Sequence, residues 1–382
     1  MRTPDLNWLK DSRIFQVNRL QAYSDHKYTI GKDKKPSSFS LNGTWKFNQS
    51  KNYDTCFKFF YNTEFNDANW NDIQVPGHIQ LQGFDNPHYT DVTYPWDGHD
   101  VVKTGQIDMD KNKVYQYRKT FDLPQDFIGN KLILSFEGVE SNIYVWLNGK
   151  FIGYSEDSFT PSRFDITKYT QEKDNVLGVR IFQKCTGTWL EDQDMWRFSG
   201  IFRDVMIYKQ PSQHIQDLKI DTNIDLDTNK SVLTCTCKMS SNESHILQAK
   251  LYDPQGNIVW NGNMQDTFEI PVENTSLWSS EYPNLYQLEI VLYDANNEII
   301  ETIQEQAGFR KFTLEYGIMK LNGKRIVFHG INRHEWNAKT GRAITYEQME
   351  EDIHMLKALN INAVRTSHYP NNSYWYKLCD QY

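Results

Sequence analysis

Short apolar-rich stretches broken by turns fill the chain from Ser40 to about Lys209. They include LNGTWKF (41–47), KLILSFEGV (131–139), NIYVWL (142–147) and KFIGYS (150–155). Asn148-Gly149 between the last two predicts a two-residue hairpin, because that turn type needs positive φ at both positions. Many short antiparallel strands without a helical period predict a β-sandwich of the jelly-roll kind over residues 40–210.

A second set of segments, which alternate apolar and polar residues, follows a predicted linker at Gln210-Pro211-Ser212. The segments are QDLKIDTNI (216–224), SVLTCTCKM (231–239), ILQAKLYD (246–253) and LYQLEIVLYD (285–294). Turn sequences lie at 253–256 and 294–297. This spacing of strands and turns predicts an immunoglobulin-like sandwich over residues 211–310. Residues 1–39 are polar without clear periodicity, and KDKKPSS (32–38) predicts a solvated N-terminal arm.

The pattern changes after Gly308. KRIVFHGINRH (324–334) predicts a buried strand, TYEQMEEDIHMLKALN (345–360) a helix, and INAVRTSHY (361–369) the next strand. The inward positions of the helix are predicted to be Met349, Ile353, Leu356 and Leu359. Thr345 followed by Gln348 predicts a capping box at the helix start. A β-α-β unit implies a parallel sheet. Because two strands are too few to form one covered on both faces, we expect residues 311–382 to be the start of a truncated domain.

Aromatic residues make up 14% of the chain, with 11 Trp, 22 Tyr and 21 Phe. Such residues fill β-sandwich cores and also stack on sugar rings, and composition favours core packing. The net charge of −8 argues against nucleic-acid and anionic-membrane partners, because both require a basic face. No apolar run approaches the ~18 residues of a membrane span, and MRTPDLNWLKDSR contains no signal-peptide core.

The cysteines form an odd, scattered set, which is typical of a reducing compartment and predicts a cytoplasmic protein. They are Cys56, Cys185, Cys235, Cys237 and Cys379. Cys235 and Cys237 are two residues apart and so share one strand face. No second Cys/His pair lies at ligand spacing, so the sequence does not predict a metal site there.

Several long motifs resemble family 2 glycoside hydrolases, in particular their β-galactosidase branch. PGHIQLQGFDNPHYTDVTYP (76–95), FEGVESNIYVWLNGKFIGYSEDSFTPSRFDIT (136–167) and GTWLEDQDMWRFSGIFRDV (187–205) resemble the N-terminal jelly-roll domain. LWSSEYPNLYQLEI (277–290) and AGFRKF (307–312) resemble the immunoglobulin-like domain. HGINRHE (329–335) and NAVRTSHYPN (362–371) resemble the first two strands of the catalytic TIM barrel. EDQDMWR and RTSHYP favour β-galactosidase over β-glucuronidase or β-mannosidase.

The resemblance implies a retaining mechanism with two glutamates, one an acid and the other a nucleophile. In the family both lie on later barrel strands, so we expect both beyond residue 382 and no catalytic residue within this chain. The magnesium ligands of the family also lie downstream. Glu335, after the first barrel strand, is predicted to cap a loop or pair with an arginine. It is not part of a zinc-protease motif, because position 338 is Ala.

The resemblance implies functional roles for four residues. Asp194 matches an aspartate that contacts galactosyl hydroxyls and helps to hold a sodium ion, two tasks that suit a carboxylate. His334 and His368 match histidines that bind galactose hydroxyls. Arg365 matches an arginine near the nucleophile and is expected to support that region rather than touch the sugar, with a plain ion pair as the alternative. At YPWDGHD (94–100) some relatives have an asparagine beside the sugar, and either Asp97 or His99 could replace it.

The resemblance also implies partners. We expect β-galactoside sugars as substrates, the remainder of the enzyme or a second subunit as a protein partner, and an oligomer when complete. The alternative is a non-catalytic carbohydrate-binding module. An exposed half-barrel with an unpaired apolar strand edge argues against that alternative, because such an edge promotes aggregation.

Overall fold

β-Strands dominate the computed structural model, which describes residues 3–97, 100–191 and 194–382. The N-terminal segment differs from the solvated arm that its sequence predicts. A 3-10 turn at Leu6–Lys10 buries Trp8 and Leu9, and three short strands follow, β1 (Gln16–Val17), β2 (Tyr28–Ile30) and β3 (Lys35–Pro36). Residues 32–36 are exposed as expected, but β1 pairs with the first sandwich and β2 with the second. Backbone pairing and the burial of Trp8, Leu9 and Val17 in an aromatic-rich cluster hold this segment, and neither requires apolar periodicity.

Fourteen strands form the first sandwich and its loops. They are β4 (Ser38–Ser40), β5 (Gly43–Ser50), β6 (Asn71–Val75), β7 (His88–Thr90), β8 (Val114–Phe121), β9 (Lys131–Phe136), β10 (Val139–Glu140), β11 (Asn142–Leu147), β12 (Lys150–Glu156), β13 (Ser162–Asp165), β14 (Asn175–Phe182), β15 (Met195–Arg197), β16 (Gly200–Ile201) and β17 (Val205–Gln210). Short 3-10 turns lie at Tyr53–Thr55, Gln80–Gln82, Gln125–Phe127 and Thr186–Trp189.

Two antiparallel sheets enclose the first core. The larger has the order β1-β12-β11-β14-β8-β5-β6 and the smaller β13-β9-β17-β4. Side chains from both sheets meet in one buried cluster, such as Phe47 and Val145 from the larger and Leu134 from the smaller. The predicted hairpin is confirmed, since Asn148 and Gly149 have φ of 51° and 78° between β11 and β12. Two small ladders, β7–β15 and β10–β16, lie outside the main sheets.

The second sandwich contains β18 (Ile215–Asp225), β19 (Lys230–Met239), β20 (Ile246–Tyr252), β21 (Ile258–Met264), β22 (Thr267–Glu273), β23 (Tyr286–Tyr293) and β24 (Ile299–Ala307). Its sheets are β18-β19-β22 and β21-β20-β23-β24, and the second sheet continues into β2-β3. Seven antiparallel strands in sheets of three and four fit the immunoglobulin-like architecture. Cys235 and Cys237 are free and buried in its core.

The last part of the chain begins with a hairpin and continues into a β-α-β unit. Its elements are β25 (Phe312–Glu315), β26 (Ile318–Leu321), β27 (Lys324–Arg325), β28 (Gly330–Arg333), α1 (Tyr346–Ala358), β29 (Ala363–Thr366) and α2 (Ser373–Gln381). The parallel pairing of β28 with β29 is confirmed. The single buried strand predicted over 324–334 is wrong: two short strands replace it, and three of the four β28 residues are exposed. In the described chain β28 pairs only with β29, so its other edge has no neighbouring strand to cover it.

Helix α1 begins at the predicted cap. The Thr345 hydroxyl accepts a hydrogen bond from the Gln348 backbone N–H, and the Gln348 side-chain oxygen accepts one from the Thr345 backbone N–H. Met349, Ile353 and Leu356 are buried as predicted, whereas Leu359 is 65% exposed. Leu359 follows the last helical residue, so its side chain no longer lies on the buried face of the helix. Neither described helix is long and apolar enough to cross a membrane.

Candidate functional site

Two histidines meet at the carboxyl ends of the parallel strands. His334 directly follows β28, and His368 lies two residues beyond the end of β29. The parallel register places Arg333 opposite Thr366, so both strands end at one edge. The two imidazole rings are 5.4 Å apart, centroid to centroid, and perpendicular. Both side chains are partly accessible. The structure therefore brings together two residues that lie 34 positions apart.

Asp194 reaches the same region from the first sandwich. It directly precedes β15, its side chain is exposed, and its Oδ1 accepts a hydrogen bond from the Tyr89 hydroxyl. Tyr89 lies on β7, which pairs with β15. Asp194 is close enough to His334 for its charge to act on the imidazole. The carboxylate of the first sandwich and the histidine of residues 311–382, called the barrel start below, thus form one polar cluster.

The electrostatics favour a neutral His334. Burial lowers the pKa of His334 below its usual value, and His368 and Arg342 act in the same direction, while Asp194 opposes them. A neutral imidazole has one donor and one acceptor nitrogen. It can therefore both donate to and accept from the hydroxyl groups of a ligand.

An aromatic row borders the polar cluster. Trp196 and Tyr89 are cross-strand partners with ring centroids 5.4 Å apart. Trp336, two residues after His334, lies 6.3 Å from Trp196 and 5.7 Å from the buried Phe198, with interplanar angles of 19° in both cases. Tyr89 and Trp196 remain 48% and 39% exposed. An apolar face beside a few polar groups is the usual composition of a small-ligand site.

Arg342 connects the barrel start to the first sandwich. Its guanidinium pairs with the Glu140 carboxylate and donates to the Trp196 carbonyl at 2.8 Å, while its backbone N–H donates to His78 Nε2 at 3.1 Å. Arg342 is only 1% exposed. Because Trp196 lies two residues after Asp194, this contact fixes the first-sandwich part of the site relative to the histidines.

Glu335 takes the structural role predicted for it. Its carboxylate pairs with Arg203 at 2.8 Å and accepts from the backbone N–H of Asn372 at 3.2 Å. Both Glu335 and Arg203 are buried. Glu335 therefore caps the loop before α2 and joins it to the first sandwich, and no ligand is needed to explain its charge.

Arg365 lies within β29 with an exposed side chain, and its Nη1 donates to Asn332 Oδ1 at 3.4 Å. Its predicted supporting role stays a prediction. Asp97 accepts a hydrogen bond from the Tyr94 backbone at 2.9 Å and so closes its own turn. His99, the other candidate for the asparagine position, lies outside the described residues.

In the described ranges no three His, Cys, Asp or Glu residues are grouped as metal ligands would be. Asp194 offers an exposed carboxylate, a hard oxygen donor that suits sodium. It is one ligand, and the two residues before it are not described.

Sequence reasoning missed Tyr89, Trp196, Trp336 and Arg342. Tyr89 and Trp196 lie inside two motifs that carry the resemblance, HYTDVTYP and EDQDMWR. The sequence therefore pointed to both segments, but not to the contact between the two side chains. Arg342 lies in a loop with no distinctive pattern, and nothing in the sequence connects it with Glu140, 202 positions away.

The chain matches three family profiles. The profile described as glycosyl hydrolases family 2, sugar binding domain, matches residues 39–211. The profile described as glycosyl hydrolases family 2 matches residues 213–310, and that of the family 2 TIM barrel domain matches residues 312–382.

Curated relatives align with nearly the whole chain. A protein from Halalkalibacterium halodurans named β-galactosidase is 49% identical over 99% of this chain and 39% of its own length. A protein from Leuconostoc lactis named β-galactosidase large subunit is 43% identical over 99% of this chain and 64% of its own length. The chain thus spans about 40% of the single-chain relatives and about two thirds of the large subunits.

Solved structures share the fold. A Bacteroides uniformis protein named β-glucuronidase 2, with a bound cyclophellitol-6-carboxylate aziridine, superposes with a TM-score of 0.74 at 24% identity. The match covers 90% of this chain and 41% of that one. At this identity the likeness concerns the fold and not the substrate.

Proposed function

The chain belongs to glycoside hydrolase family 2, and we propose that it is the N-terminal part of a β-galactosidase that releases terminal β-galactosyl residues with retention of configuration. The observation that carries the proposal is the meeting of Asp194, His334 and His368 beside an aromatic row. Asp194 is a strong acceptor for hydroxyl groups. The histidines supply paired donors and acceptors, and the flat rings of Trp196 and Trp336 suit the apolar face of a pyranose.

The proposal extends to the parts of the enzyme outside the chain. Both catalytic glutamates and the magnesium ligands are expected on later barrel strands, while Asp194 contributes one ligand to a sodium ion. A jelly-roll strand order for the first sandwich, a cytoplasmic location and a role in lactose breakdown belong to the same proposal. The protein partner is the remainder of the barrel, with a second subunit completing the enzyme as in relatives named large subunits, and we expect the complete enzyme to be an oligomer.

The chain of 382 residues is expected to show no turnover of nitrophenyl β-galactoside. Removing one member of a catalytic set already lowers rates by orders of magnitude, and both carboxylates are expected on later barrel strands. Hydrolysis by the purified chain would be measured with Glu335→Gln as the control. Turnover that this substitution abolishes would mean that Glu335, rather than a downstream glutamate, carries the chemistry.

Asp194→Ala is expected to lower kcat/KM about ten- to hundredfold in the complete enzyme that contains this chain. A lost charged hydrogen bond costs roughly 1.5–3 kcal/mol, and about 1.4 kcal/mol corresponds to tenfold. Activation by sodium should disappear in the same variant. Tyr89→Phe, which leaves the carboxylate but removes its hydroxyl donor, should have a smaller effect.

Two control variants separate this role from a general need for acidic residues. Asp192→Ala changes the same acidic loop, at a position outside the described residues, and Asp227→Ala changes an exposed carboxylate of the second sandwich. Both should retain near-normal kcat/KM. If Asp192→Ala is as damaging as Asp194→Ala, the loop is an acidic structural turn and the assignment of Asp194 is wrong.

A further inference from the structure

The loop that carries Asp194 is anchored by a second carboxylate. This loop, residues 186–197, is called the acidic loop below. Glu191 Oε1 accepts a hydrogen bond from the Ser158 backbone N–H at 2.7 Å, and Oε2 accepts from the Ser158 hydroxyl at 2.6 Å. Ser158 is fully buried just after β12. One side chain of the loop is thus tied by both oxygens to the body of the first sandwich.

The backbone of Glu191 is held as well. Its N–H donates to the Gly187 carbonyl at 2.9 Å, and its carbonyl accepts from Arg197 Nη1 at 2.7 Å. Arg197 and Glu191 flank Asp194 by three residues on either side. At the start of the loop, the buried Glu156 accepts from the Gly187 N–H at 2.7 Å. The Arg197–Glu191 hydrogen bond thus closes the base of the loop on both sides of Asp194.

The surroundings of Glu191 oppose its negative charge. Burial raises the pKa of Glu191 to about 7, with Asp157 and Glu140 acting in the same direction and the Ser158 hydrogen bonds opposing them. Arg197 faces it as the neighbouring cation. Keeping a carboxylate in a shielded position costs desolvation free energy. The backbone N–H and the hydroxyl of Ser158 both donate to Glu191. An ionised carboxylate suits this arrangement, because both of its oxygens can accept.

We propose that Glu191 is a positioning residue for Asp194. By fixing the acidic loop on Ser158, it keeps the Asp194 carboxylate beside Tyr89 and His334, where the hydroxyl groups of the sugar are to be bound. The inference rests on the proposed function of Asp194 and adds the residue on which that function depends. The competing explanation is that Glu191 only stabilises the first sandwich.

A double-mutant cycle in the complete enzyme separates these explanations. Glu191→Ala should lower kcat/KM about ten- to hundredfold, the range expected for two lost charge-assisted hydrogen bonds. If Glu191 acts through Asp194, the same substitution should change kcat/KM little further when Asp194→Ala is already present. Glu191→Gln should recover part of the activity, because its amide retains one acceptor for the Ser158 N–H. Additive losses in the cycle would overturn the proposal.

Glu137→Ala is the matched control, since Glu137 is another partly buried glutamate that accepts a serine hydroxyl, from Ser135 at 2.7 Å. Its effect on kcat/KM should be small and additive with Asp194→Ala. If Glu191→Ala does not fold, Ser158→Ala replaces it in the cycle, because that change removes only the 2.6 Å bond. A null effect of Ser158→Ala, or one additive with Asp194→Ala, then overturns the proposal.

Hydrogen exchange distinguishes failure of this inference from failure of the proposed function. In the 382-residue chain, Glu191→Ala should accelerate exchange of the Ser158 amide and of the amides of the acidic loop. Unchanged exchange would show that Glu191 does not hold the loop. If exchange is accelerated but Asp194→Ala leaves kcat/KM unchanged, the role assigned to Asp194 is wrong. The positioning role of Glu191 is then wrong as well.

Discussion

Replacing Arg342 with methionine is expected to lower the free energy of unfolding by about 3–5 kcal/mol, the usual cost of removing one partner of a buried ion pair. Methionine keeps much of the side-chain volume but leaves the Glu140 carboxylate buried without its cation. The Trp196 carbonyl also loses its donor, and the rings of Phe159 and Tyr369 lose the guanidinium that lies against them. Urea unfolding of the 382-residue chain measures the loss.

The Glu140→Gln change tests the cause of that loss. With the acid neutralised, Arg342→Met should cost less than it does alone, because no unpaired charge remains buried. Lys339→Met, an exposed change in the same loop, should alter stability by less than about 0.5 kcal/mol. A loss below about 1 kcal/mol for Arg342→Met would show that this contact does not hold the barrel start against the sandwich.

Glu301→Gln is expected to stabilise the chain above neutral pH. Glu301 is 1% exposed on β24, and burial raises its pKa to about 8. Its Oε1 accepts from the Ile215 backbone at 2.6 Å, while Oε2 has no hydrogen-bond partner within the described residues. The carboxyl is therefore neutral in the folded protein at pH 7, and glutamine reproduces that neutral form.

The sign of the pH effect follows from proton counting. Between about pH 4.5 and 8 the unfolded chain carries ionised Glu301 while the folded protein keeps its proton, so stability falls as pH rises. The slope approaches about 1.4 kcal/mol per pH unit, and the total is on the order of 4–5 kcal/mol. Above pH 8 both states are ionised and the loss stays constant.

Denaturation at pH 5 and pH 8 measures this difference. The variant should resemble the parent near pH 5 and exceed it in unfolding free energy at pH 8. Glu298→Gln, in the exposed turn before β24, should show no growth of the difference with pH. A Glu301→Gln effect that is constant with pH would show that Glu301 does not change its protonation on unfolding.

Element identity was predictable where a local signal existed. The Asn148-Gly149 hairpin, the Thr345 capping box and strands β18, β19, β20 and β23 of the second sandwich each have a sequence pattern that acts within a few residues. Strand β21 was missed because its residues are mostly exposed and show no buried alternation. The N-terminal segment was misjudged because backbone pairing of β1 and β2 with distant strands, and a few isolated buried side chains such as Trp8 and Leu9, produce no periodic side-chain pattern.

Motif order and length led to the prediction of Asp194, His334 and His368 as site residues, and placed both histidines at the ends of strands. The contacts that assemble the site were not predictable in the same way. These contacts join residues that lie 33 to 140 positions apart: Tyr89 donates to Asp194, Trp336 stacks on Trp196, and Glu191 accepts from Ser158. Such contacts depend on how whole elements dock.

The sequence by itself determined the β-rich architecture, the change to a β-α-β unit after Gly308, and the family. These rest on periodicity, turn chemistry and long motifs, all of which are properties of neighbouring residues. Only the tertiary structure decided which charges are buried and paired. In the sequence Glu335, Glu140 and Glu301 are ordinary acidic residues. In the structure Glu335 pairs with Arg203 and Glu140 with Arg342, while one oxygen of Glu301 has no hydrogen-bond partner among the described residues. Their energetics depend on desolvation and on the nearest opposite charge, and both are set by segments that are remote in the chain.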